Sequence, residues 1–279
     1  MIGENGFVLE NGVEIPFVGF GTYSVHDEKI ILDALENGYR HLDTARKYEN
    51  EKMIGRALQE CSVNRNDLFL TSKVWKTDLS YDAVLRSFDV SVKDLGVQYL
   101  DLFLVHWPQA HPDADWKPAM TETWKAMERL YDEGAVRAIG VCNFLPHHLL
   151  HLMKDANVRP MVNQLEIHPG YSQPATVQFC ASQGIQVEAW SPLGRGRMLN
   201  DPLLLELAEK YGKSPAQICL RFCLQCNILP LPKASSPKRL LENLDIFDFD
   251  LELADVYRLQ TMPEAGWSGQ HPVCFPPKD

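Results

Sequence analysis

Several short apolar stretches of this sequence end in side chains that could transfer protons. Asp43, Lys73 and His106 each close such a stretch, and Tyr48 follows Asp43 by five residues. A free tyrosine has a pKa of about 10 and is a poor acid at neutral pH, so a neighbouring charge must tune it. We predict that the Lys73 ammonium lowers the pKa of Tyr48 and that Asp43 keeps Lys73 charged. With His106 orienting a carbonyl, the set could protonate an alkoxide as a hydride arrives.

A catalytic metal is the competing interpretation of Asp43 and His106. Catalytic zinc as a rule has three protein ligands, and the ends of the apolar stretches offer one clean histidine. His147 and His151, four residues apart, form a second candidate pair without a third ligand, and we expect a solvated helix face there. We therefore predict no metal site.

The seven cysteines are odd in number and irregularly spaced, which does not indicate a disulfide framework. Three of them are at helical spacing and resemble a set of metal ligands: Cys219, Cys223 and Cys226. Because no histidine or fourth cysteine is nearby, we predict instead that they lie on one face of a buried helix.

The proton-transfer residues need a scaffold, and the hydropathy pattern predicts alternating strands and helices. Eight strand-like stretches occur at 16–20, 39–43, 68–73, 100–106, 137–141, 161–165, 185–190 and 228–231. Helical stretches between them include 28–37, 50–59, 83–95, 121–132 and 215–225. Eight such repeats indicate an α/β fold, the (β/α)₈ TIM barrel. Two short alternating runs joined at Asn11–Gly12 predict an N-terminal β-hairpin that acts as a lid or plug.

In such barrels the active site lies at the C-terminal ends of the strands. Besides the proton-transfer residues, the last four strands and the segments after them supply Cys142, Asn143, Gln164, Trp190, Ser191 and Lys233. The long loop from Trp107 to Pro118 is also a candidate functional segment. Gly19-Phe20-Gly21 lacks the third glycine of a doubly wound dinucleotide fingerprint, so the sequence does not indicate a doubly wound dinucleotide-binding domain.

Composition limits the classes of partner. With 279 residues the chain suits one barrel, and we predict a single domain over 1–279. The formal net charge of −10 argues against a nucleic-acid partner, and no apolar run reaches the length of a membrane span. The N-terminus has no basic segment followed by an apolar one, so we expect a cytoplasmic protein. We also expect a monomer.

Three stretches together resemble the signatures of the aldo-keto reductase family: Gly38–Glu51, Val136–Phe144 and Leu231–Asn243. The resemblance runs nearly end to end, and it is greatest to the short bacterial and protozoan members near the diketogluconate and glyoxal reductases. It implies NADPH-dependent reduction of small aldehydes and ketones, among them α-dicarbonyls, aromatic aldehydes and keto sugars. The catalytic residues implied are Asp43, Tyr48, Lys73 and His106, with Tyr48 as the general acid.

The resemblance also implies an NADPH/NADP⁺ site. The nicotinamide would contact Cys142, Asn143, Gln164 and Trp190. The ribose and pyrophosphate would contact Gly21, Thr22, Ser191, Leu193 and Gly194. The adenosine end and its 2′-phosphate would contact Lys233, Ser235, Arg239, Glu242 and Asn243. The basic cluster of Lys233, Lys238 and Arg239 independently suits a phosphate, because arginine binds phosphate with two parallel hydrogen bonds.

Two positions depart from the family pattern. Cys142 stands where the family usually has serine, which weakens one hydrogen bond to the carboxamide. Ala234 stands where a serine often contacts the phosphate, which affects the strength of the NADP preference. Candidate walls of the substrate pocket are Tyr23, Trp75, Trp107, His111 and Trp116.

Two other functions are possible for this fold. A redox-sensing subunit of an ion channel would bind NADPH and turn over slowly, but we find no extra N-terminal inactivating segment in the sequence. A structural lens-type protein would carry a vestigial site, and the complete set of four catalytic residues disfavours it.

Overall fold

A parallel sheet forms the centre of the molecule in the computed structural model, which describes residues 3–113 and 115–274. Its strands are β3 (Phe20–Gly21), β4 (His41–Asp43), β5 (Phe69–Val74), β6 (Leu100–Val105), β7 (Val136–Cys142), β8 (Val162–Glu166), β9 (Gln186–Trp190) and β10 (Ile228–Leu231). Each pairs in parallel with the next. The backbone N–H groups of Gly19 and Gly21 donate to the carbonyls of Pro230 and Pro232 at 3.1 Å and connect the two edges. The predicted (β/α)₈ barrel is confirmed.

Helices follow the strands and cover the outside of the sheet. They are α1 (Glu28–Glu36), α2 (Glu51–Glu60), α3 (Tyr81–Leu95), α4 (Trp116–Asp132), α5 (Pro146–Asp155), α6 (Pro174–Ser182), α7 (Pro202–Tyr211), α8 (Pro215–Gln225), α9 (Pro237–Leu244) and α10 (Leu253–Gln260). Half of them begin with proline, whose fixed φ suits the first helical position. Asp201, Ser214 and Ser236 cap α7, α8 and α9 by accepting backbone N–H groups.

The N-terminal hairpin consists of β1 (Gly6–Val8) and β2 (Glu14–Pro16), with Phe7 opposite Ile15. Both of these side chains are buried in a cluster that includes Phe69, at the start of β5. The Asn11 side chain donates to the carbonyl of Arg137, near the start of β7, at 2.9 Å. The hairpin is therefore a plug at the N-terminal ends of the barrel strands, away from the ends that carry the predicted site.

Of the cysteines at helical spacing, Cys219 and Cys223 lie on α8 and Cys226 directly follows it. Cys219 and Cys223 are buried in the core and Cys226 is half-buried, so the prediction of a buried helix face is confirmed for the first two. Burial raises the pKa of the Cys219 thiol to about 12, which keeps it protonated and unreactive.

The two largest differences from the predicted element boundaries are at β3 and α4. Most of the stretch 16–20 lies between β2 and β3, and β3 has only two residues. Helix α4 begins at Trp116 rather than at residue 121, because Pro118 falls in its first turn, where the backbone N–H has no intrahelical partner to lose. The predicted loop from Trp107 to Pro118 is shorter by these three residues.

Within residues 3–113 and 115–274, none of the helices combines the length and the apolar character that a membrane span requires. The expectations of a single domain over the whole chain and of a monomer stay predictions.

Candidate functional site

A fully buried lysine lies at the centre of the candidate site. Lys73, on β5, is 0% exposed, and its ammonium donates to Asp43 Oδ1 at 2.7 Å, to the Thr44 carbonyl at 3.0 Å and to Tyr48 Oη at 3.4 Å. All three of its N–H groups are therefore used. An unpaired buried ammonium would cost several kcal/mol. The charged Lys73 can therefore be buried only because the Asp43 carboxylate, at the end of β4, pairs with it.

Tyr48 ends a short 3₁₀ turn, Arg46–Tyr48, whose two sides are anchored separately. The Arg46 guanidinium pairs with Glu51 and with Asp94 on α3. On the other side, the buried Asn50 side chain donates to the Thr22 carbonyl at 2.9 Å. These contacts on both sides of the turn fix its position and hold the Tyr48 phenol beside the Lys73 ammonium.

His106 follows β6 and packs at the edge of two aromatic rings. Its ring centroid is 5.7 Å from that of Tyr48 and 5.0 Å from that of Trp75, both edge-on. Burial, assisted by the positive charge of Lys73, holds the pKa of His106 well below its usual range. The imidazole is therefore neutral at pH 7, and it can donate one hydrogen bond through the nitrogen that carries its proton.

The pKa of Tyr48 differs from the sequence prediction. Burial raises it above the ordinary value and outweighs the opposite effect of the Lys73 ammonium, so the prediction of a lowered pKa is wrong in net direction. Burial acts to lower the pKa of Lys73, but the negative charge of Asp43, the neighbouring Tyr48 and Cys142 and the hydrogen bond to Asp43 together outweigh burial and raise that pKa, so Lys73 stays charged. The phenol is thus protonated throughout the neutral range.

A buried amide links the proton-transfer residues to the next strands. Gln164 Nε2, on β8, donates to Asp43 Oδ2 at 2.9 Å and to Glu188 Oε2, on β9, at 2.7 Å. Burial, and next the negative charge of Asp43, raise the pKa of Glu188 to about 8. The sequence analysis missed Glu188, although one acidic residue inside the apolar stretch 185–190 is a signal that could have identified it.

The network continues toward the predicted nicotinamide wall. The Cys142 thiol donates to Gln164 Oε1 across 3.8 Å, a long contact that leaves this oxygen able to accept a stronger donor. Asn143 Nδ2 donates to the His106 carbonyl at 3.0 Å, and Trp190 Nε1 donates to Asn143 Oδ1 at 2.9 Å. Asn143 has φ of +64°, in the left-handed region, where a non-glycine residue is strained.

One cavity of about 1140 Å³ lies at the C-terminal ends of the strands, and Lys73 and Glu188 are buried behind its wall. Its wall includes most of the residues predicted from the sequence: Gly21, Tyr23, Asp43, Tyr48, Trp75, His106, Trp107, Cys142, Asn143, Gln164, Trp190, Ser191, Leu193, Lys233, Arg239, Glu242 and Asn243. The volume exceeds the range of about 300–1,000 Å³ that is typical of pockets for one small ligand. It is large enough for a cofactor and a small substrate together.

Two cationic side chains at the cavity wall have no acidic partner among the described residues and could bind a dinucleotide phosphate. Among the described residues, the Arg239 guanidinium on α9 makes no hydrogen bond or ion pair, and the Lys233 ammonium makes only a 3.0 Å bond to the Ser24 carbonyl. Both side chains are exposed. Trp190 also lines the cavity, and its ring, with the Arg195 guanidinium 5.8 Å from its centroid, could stack on a planar ligand.

Three residues predicted to bind the cofactor do not line the cavity. Thr22 is buried, and its hydroxyl donates to the Asp43 carbonyl at 2.8 Å, so its visible contact supports the end of β4. Gly194 has φ of +55°, and a Cβ there would lie 2.8 Å from Met198 Cγ. Ser235 is exposed beside Lys233 and outside the cavity wall.

Two of the five predicted substrate-pocket residues also lie elsewhere. His111 is exposed in the loop before α4 and faces Asp113. The Trp116 ring, at the start of α4, meets His148 and His151 of α5 edge-on at 4.8 and 5.0 Å. Trp116 therefore belongs to a helix contact, and it covers part of the face that we expected to be solvated. Within the described residues, no group of three or more histidine, cysteine or acidic side chains could hold a metal ion.

Comparison with known proteins gives consistent matches. The profile described as "Aldo/keto reductase family" matches residues 19–263. A glyoxal reductase of Bacillus subtilis is 43% identical over 268 residues, covering 95% of each chain. A 9,11-endoperoxide prostaglandin H2 reductase of Trypanosoma cruzi is 40% identical, covering 98% of this chain and 96% of its own. The crystal structure of a Bombyx mori aldo-keto reductase in complex with NADP is 34% identical with a TM-score of 0.84, covering 92% of this chain and 93% of that one.

Replacing Glu188 by glutamine should remove a pH dependence of folding stability. The folded pKa of about 8 lies above the unfolded value, so the folded state retains a proton that the unfolded state releases as the pH rises. The free energy of unfolding of the wild type should therefore fall between about pH 5 and pH 8, by a contribution on the order of 3 kcal/mol from this group. Urea titrations of Glu188→Gln at both pH values should show a smaller decline in the free energy of unfolding, because the contribution of Glu188 is missing. The exposed control, Glu10→Gln, should keep the wild-type slope, and an equal decline in all three proteins would contradict the assignment.

Proposed function

This chain belongs to the aldo/keto reductase family of oxidoreductases, and we propose that it reduces small aldehydes and ketones to alcohols with NADPH. The observation that carries the proposal is the buried contact of Lys73 with both Asp43 and Tyr48. It supplies a protonated phenol with a cation beside it, next to a neutral imidazole, which is what the protonation of an alkoxide requires.

Each of the four residues has a distinct task in this proposal. The cofactor, when bound, supplies a hydride to the carbonyl carbon. Tyr48 gives its hydroxyl proton to the carbonyl oxygen as negative charge develops there, and Lys73 stabilises the resulting phenolate. Asp43 holds Lys73 in place and keeps it charged. His106 donates a hydrogen bond to the same oxygen and thereby orients the substrate.

The residues of the cavity wall suit NADPH. We assign the nicotinamide to Cys142, Asn143, Gln164 and Trp190, and the ribose and pyrophosphate to Gly21, Ser191 and Leu193, with Thr22 and Gly194 shaping the backbone behind them. We assign the adenosine 2′-phosphate end to Lys233, Ser235, Arg239, Glu242 and Asn243. Because Ala234 offers no hydroxyl, the preference for NADPH over NADH rests on Lys233 and Arg239.

The substrates proposed are small carbonyl compounds, among them α-dicarbonyls, aromatic aldehydes and keto sugars. The similarity to the glyoxal reductase of Bacillus subtilis supports the first of these classes. The aromatic rings of Tyr23, Trp75 and Trp107 line the cavity and favour small apolar or planar groups.

Tyr48→Phe should abolish carbonyl reduction while NADPH still binds, because the hydroxyl acts only when charge develops on the substrate oxygen. We expect a loss of at least about 100-fold in kcat, measured with methylglyoxal and with a simple aromatic aldehyde. Quenching of tryptophan fluorescence should give an NADPH dissociation constant close to that of the wild type. Tyr257→Phe, on the exposed face of α10, is the control and should retain full activity. Wild-type turnover by the Tyr48 variant would rule out its role as the acid.

Arg239→Ala should weaken NADPH binding far more than NADH binding. A charge-assisted hydrogen bond contributes about 1.5–3 kcal/mol, so the NADPH dissociation constant should rise about 10- to 100-fold while that of NADH changes little. Fluorescence titration of both cofactors measures this, and Arg86→Ala, which removes a charge from the exposed face of α3, is the control. Equal losses for the two cofactors would exclude contact of Arg239 with the 2′-phosphate.

The rate of reduction should be independent of pH from about pH 5 to about pH 7, below the pKa of about 8 of Glu188. The raised pKa of Tyr48 keeps the phenol protonated, and the lowered pKa of His106 keeps the imidazole neutral across this range. Alcohol oxidation needs the phenolate and should therefore rise with pH. Lys73→Met should slow reduction at every pH in this range and leave the rate independent of pH. The control Lys154→Met, on α5, should reduce the substrate at the wild-type rate.

Single-turnover measurements are needed for this test, because cofactor release can mask the chemical step in the steady state. An alkaline decline centred near pH 7 in the wild-type single-turnover rate would show that the proton donor has a lowered pKa after all.

A further inference from the structure

The cavity is positively charged although the protein is acidic. The formal net charge of the chain is −10. Four cationic side chains line the cavity, namely Lys47, Arg195, Lys233 and Arg239. Its acidic lining residues are Asp43, which is already paired with buried Lys73, and Glu242. A site that gathers cations in an acidic protein favours negatively charged ligands over neutral ones.

One of these cations lies beside the proton-transfer residues. Lys47 directly precedes Tyr48 on the 3₁₀ turn, and its ammonium lies 5.2 Å from the centroid of the Trp75 ring. The Trp75 ring centroid is in turn 5.0 Å from that of His106. The ammonium is therefore within about 10 Å of the His106 ring, a distance that a small two-headed substrate can span.

Lys47 has no acidic partner among the described residues, unlike its neighbour. The Arg46 guanidinium on the same turn forms ion pairs with Glu51 and Asp94. The Lys47 side chain is exposed, and its one recorded interaction is with the face of Trp75. The aromatic face holds the ammonium at the cavity wall without neutralising it.

The cofactor does not account for this charge. Lys233 and Arg239, which follow β10, are the residues assigned to the phosphate in the proposed function. Lys47 belongs to the segment after β4 and contacts Trp75, which follows β5. It therefore lies on the side of the cavity formed by Tyr48, Trp75 and His106, where the substrate carbonyl would be reduced.

We propose that Lys47 is a specificity-determining residue that selects carbonyl substrates bearing a carboxylate. This inference rests on the proposed function, since it describes the second end of the substrate that Tyr48 protonates. The carboxylate pairs with the Lys47 ammonium beside the Trp75 ring while the carbonyl reaches Tyr48 and His106. An ammonium–carboxylate contact is stronger than a neutral hydrogen bond, and the Trp75 ring beside the ammonium shields one side of it from water.

Two aldehydes of nearly the same shape test the proposal. 4-Carboxybenzaldehyde carries the charge, and methyl 4-formylbenzoate is its neutral ester. The measured quantity is the ratio of their kcat/KM values with NADPH. Lys47→Met should lower this ratio at least about tenfold relative to the wild type, whereas Lys47→Arg should preserve most of it. Lys52→Met, which removes the same charge from the exposed face of α2, should leave the ratio unchanged.

Ionic strength gives a second readout that a structural role would not affect. Raising the salt from about 20 mM to about 300 mM should lower the wild-type ratio, because exposed charges are screened over shorter distances. The ratio for Lys47→Met should not respond. If the wild type reduces the ester and Lys47→Met has the wild-type ratio at low salt, the proposal is overturned.

Failure of the proposed function would look different. If the wild type reduces neither aldehyde, NADPH-dependent reduction of such compounds is wrong, and calorimetry then decides the inference by itself. The probe is 4-(hydroxymethyl)benzoate, titrated into the protein with NADP⁺ present. Binding that Lys47→Met weakens about tenfold and Lys52→Met does not would support the anion site. Equal heats for the three proteins would overturn it.

Discussion

The buried charge of Lys73 is the constraint on which the rest of the site depends. Its ammonium is fully removed from water, so every N–H must find a partner inside the protein. Asp43 from β4, the Thr44 carbonyl and Tyr48 provide those partners. The pairing of β4 with β5 sets the distance between the Asp43 carboxylate and the Lys73 ammonium. The geometry of the barrel therefore fixes the geometry of this ion pair.

The same carboxylate connects the proton-transfer residues with the wall assigned to the cofactor. Asp43 accepts from Lys73 with one oxygen and from Gln164 with the other. Gln164 reaches Glu188 on the next strand, and the Cys142 thiol reaches Gln164. Because these groups are buried, the loss of one partner leaves another unsatisfied, which makes the network sensitive to single substitutions. Burial, and next the negative charge of Asp43, raise the pKa of Glu188 and favour its protonated form.

Charge is distributed unevenly between the cavity and the rest of the surface. The acidic total repels anions in general, and the cations at the cavity wall offset this locally. Arg239 and Lys233 after β10 suit the phosphate of a dinucleotide, and Lys47 after β4 suits a charge on the substrate. The two groups of cations lie on different segments, so the recognition of cofactor and of substrate could change independently.

The sequence by itself determined the barrel and the four catalytic candidates, because strand and helix periods are local and strand ends converge in this fold. Only the tertiary structure decided quantities that depend on neighbours distant in the chain. Burial raises the pKa of Tyr48, opposite to the shift expected from the sequence. Trp116 packs against α5 and does not line the cavity. The roles of Glu188 and Lys47 depend on residues of other segments, Gln164 on β8 and Trp75 after β5. Burial and contact across a barrel are properties of the fold and not of any one segment.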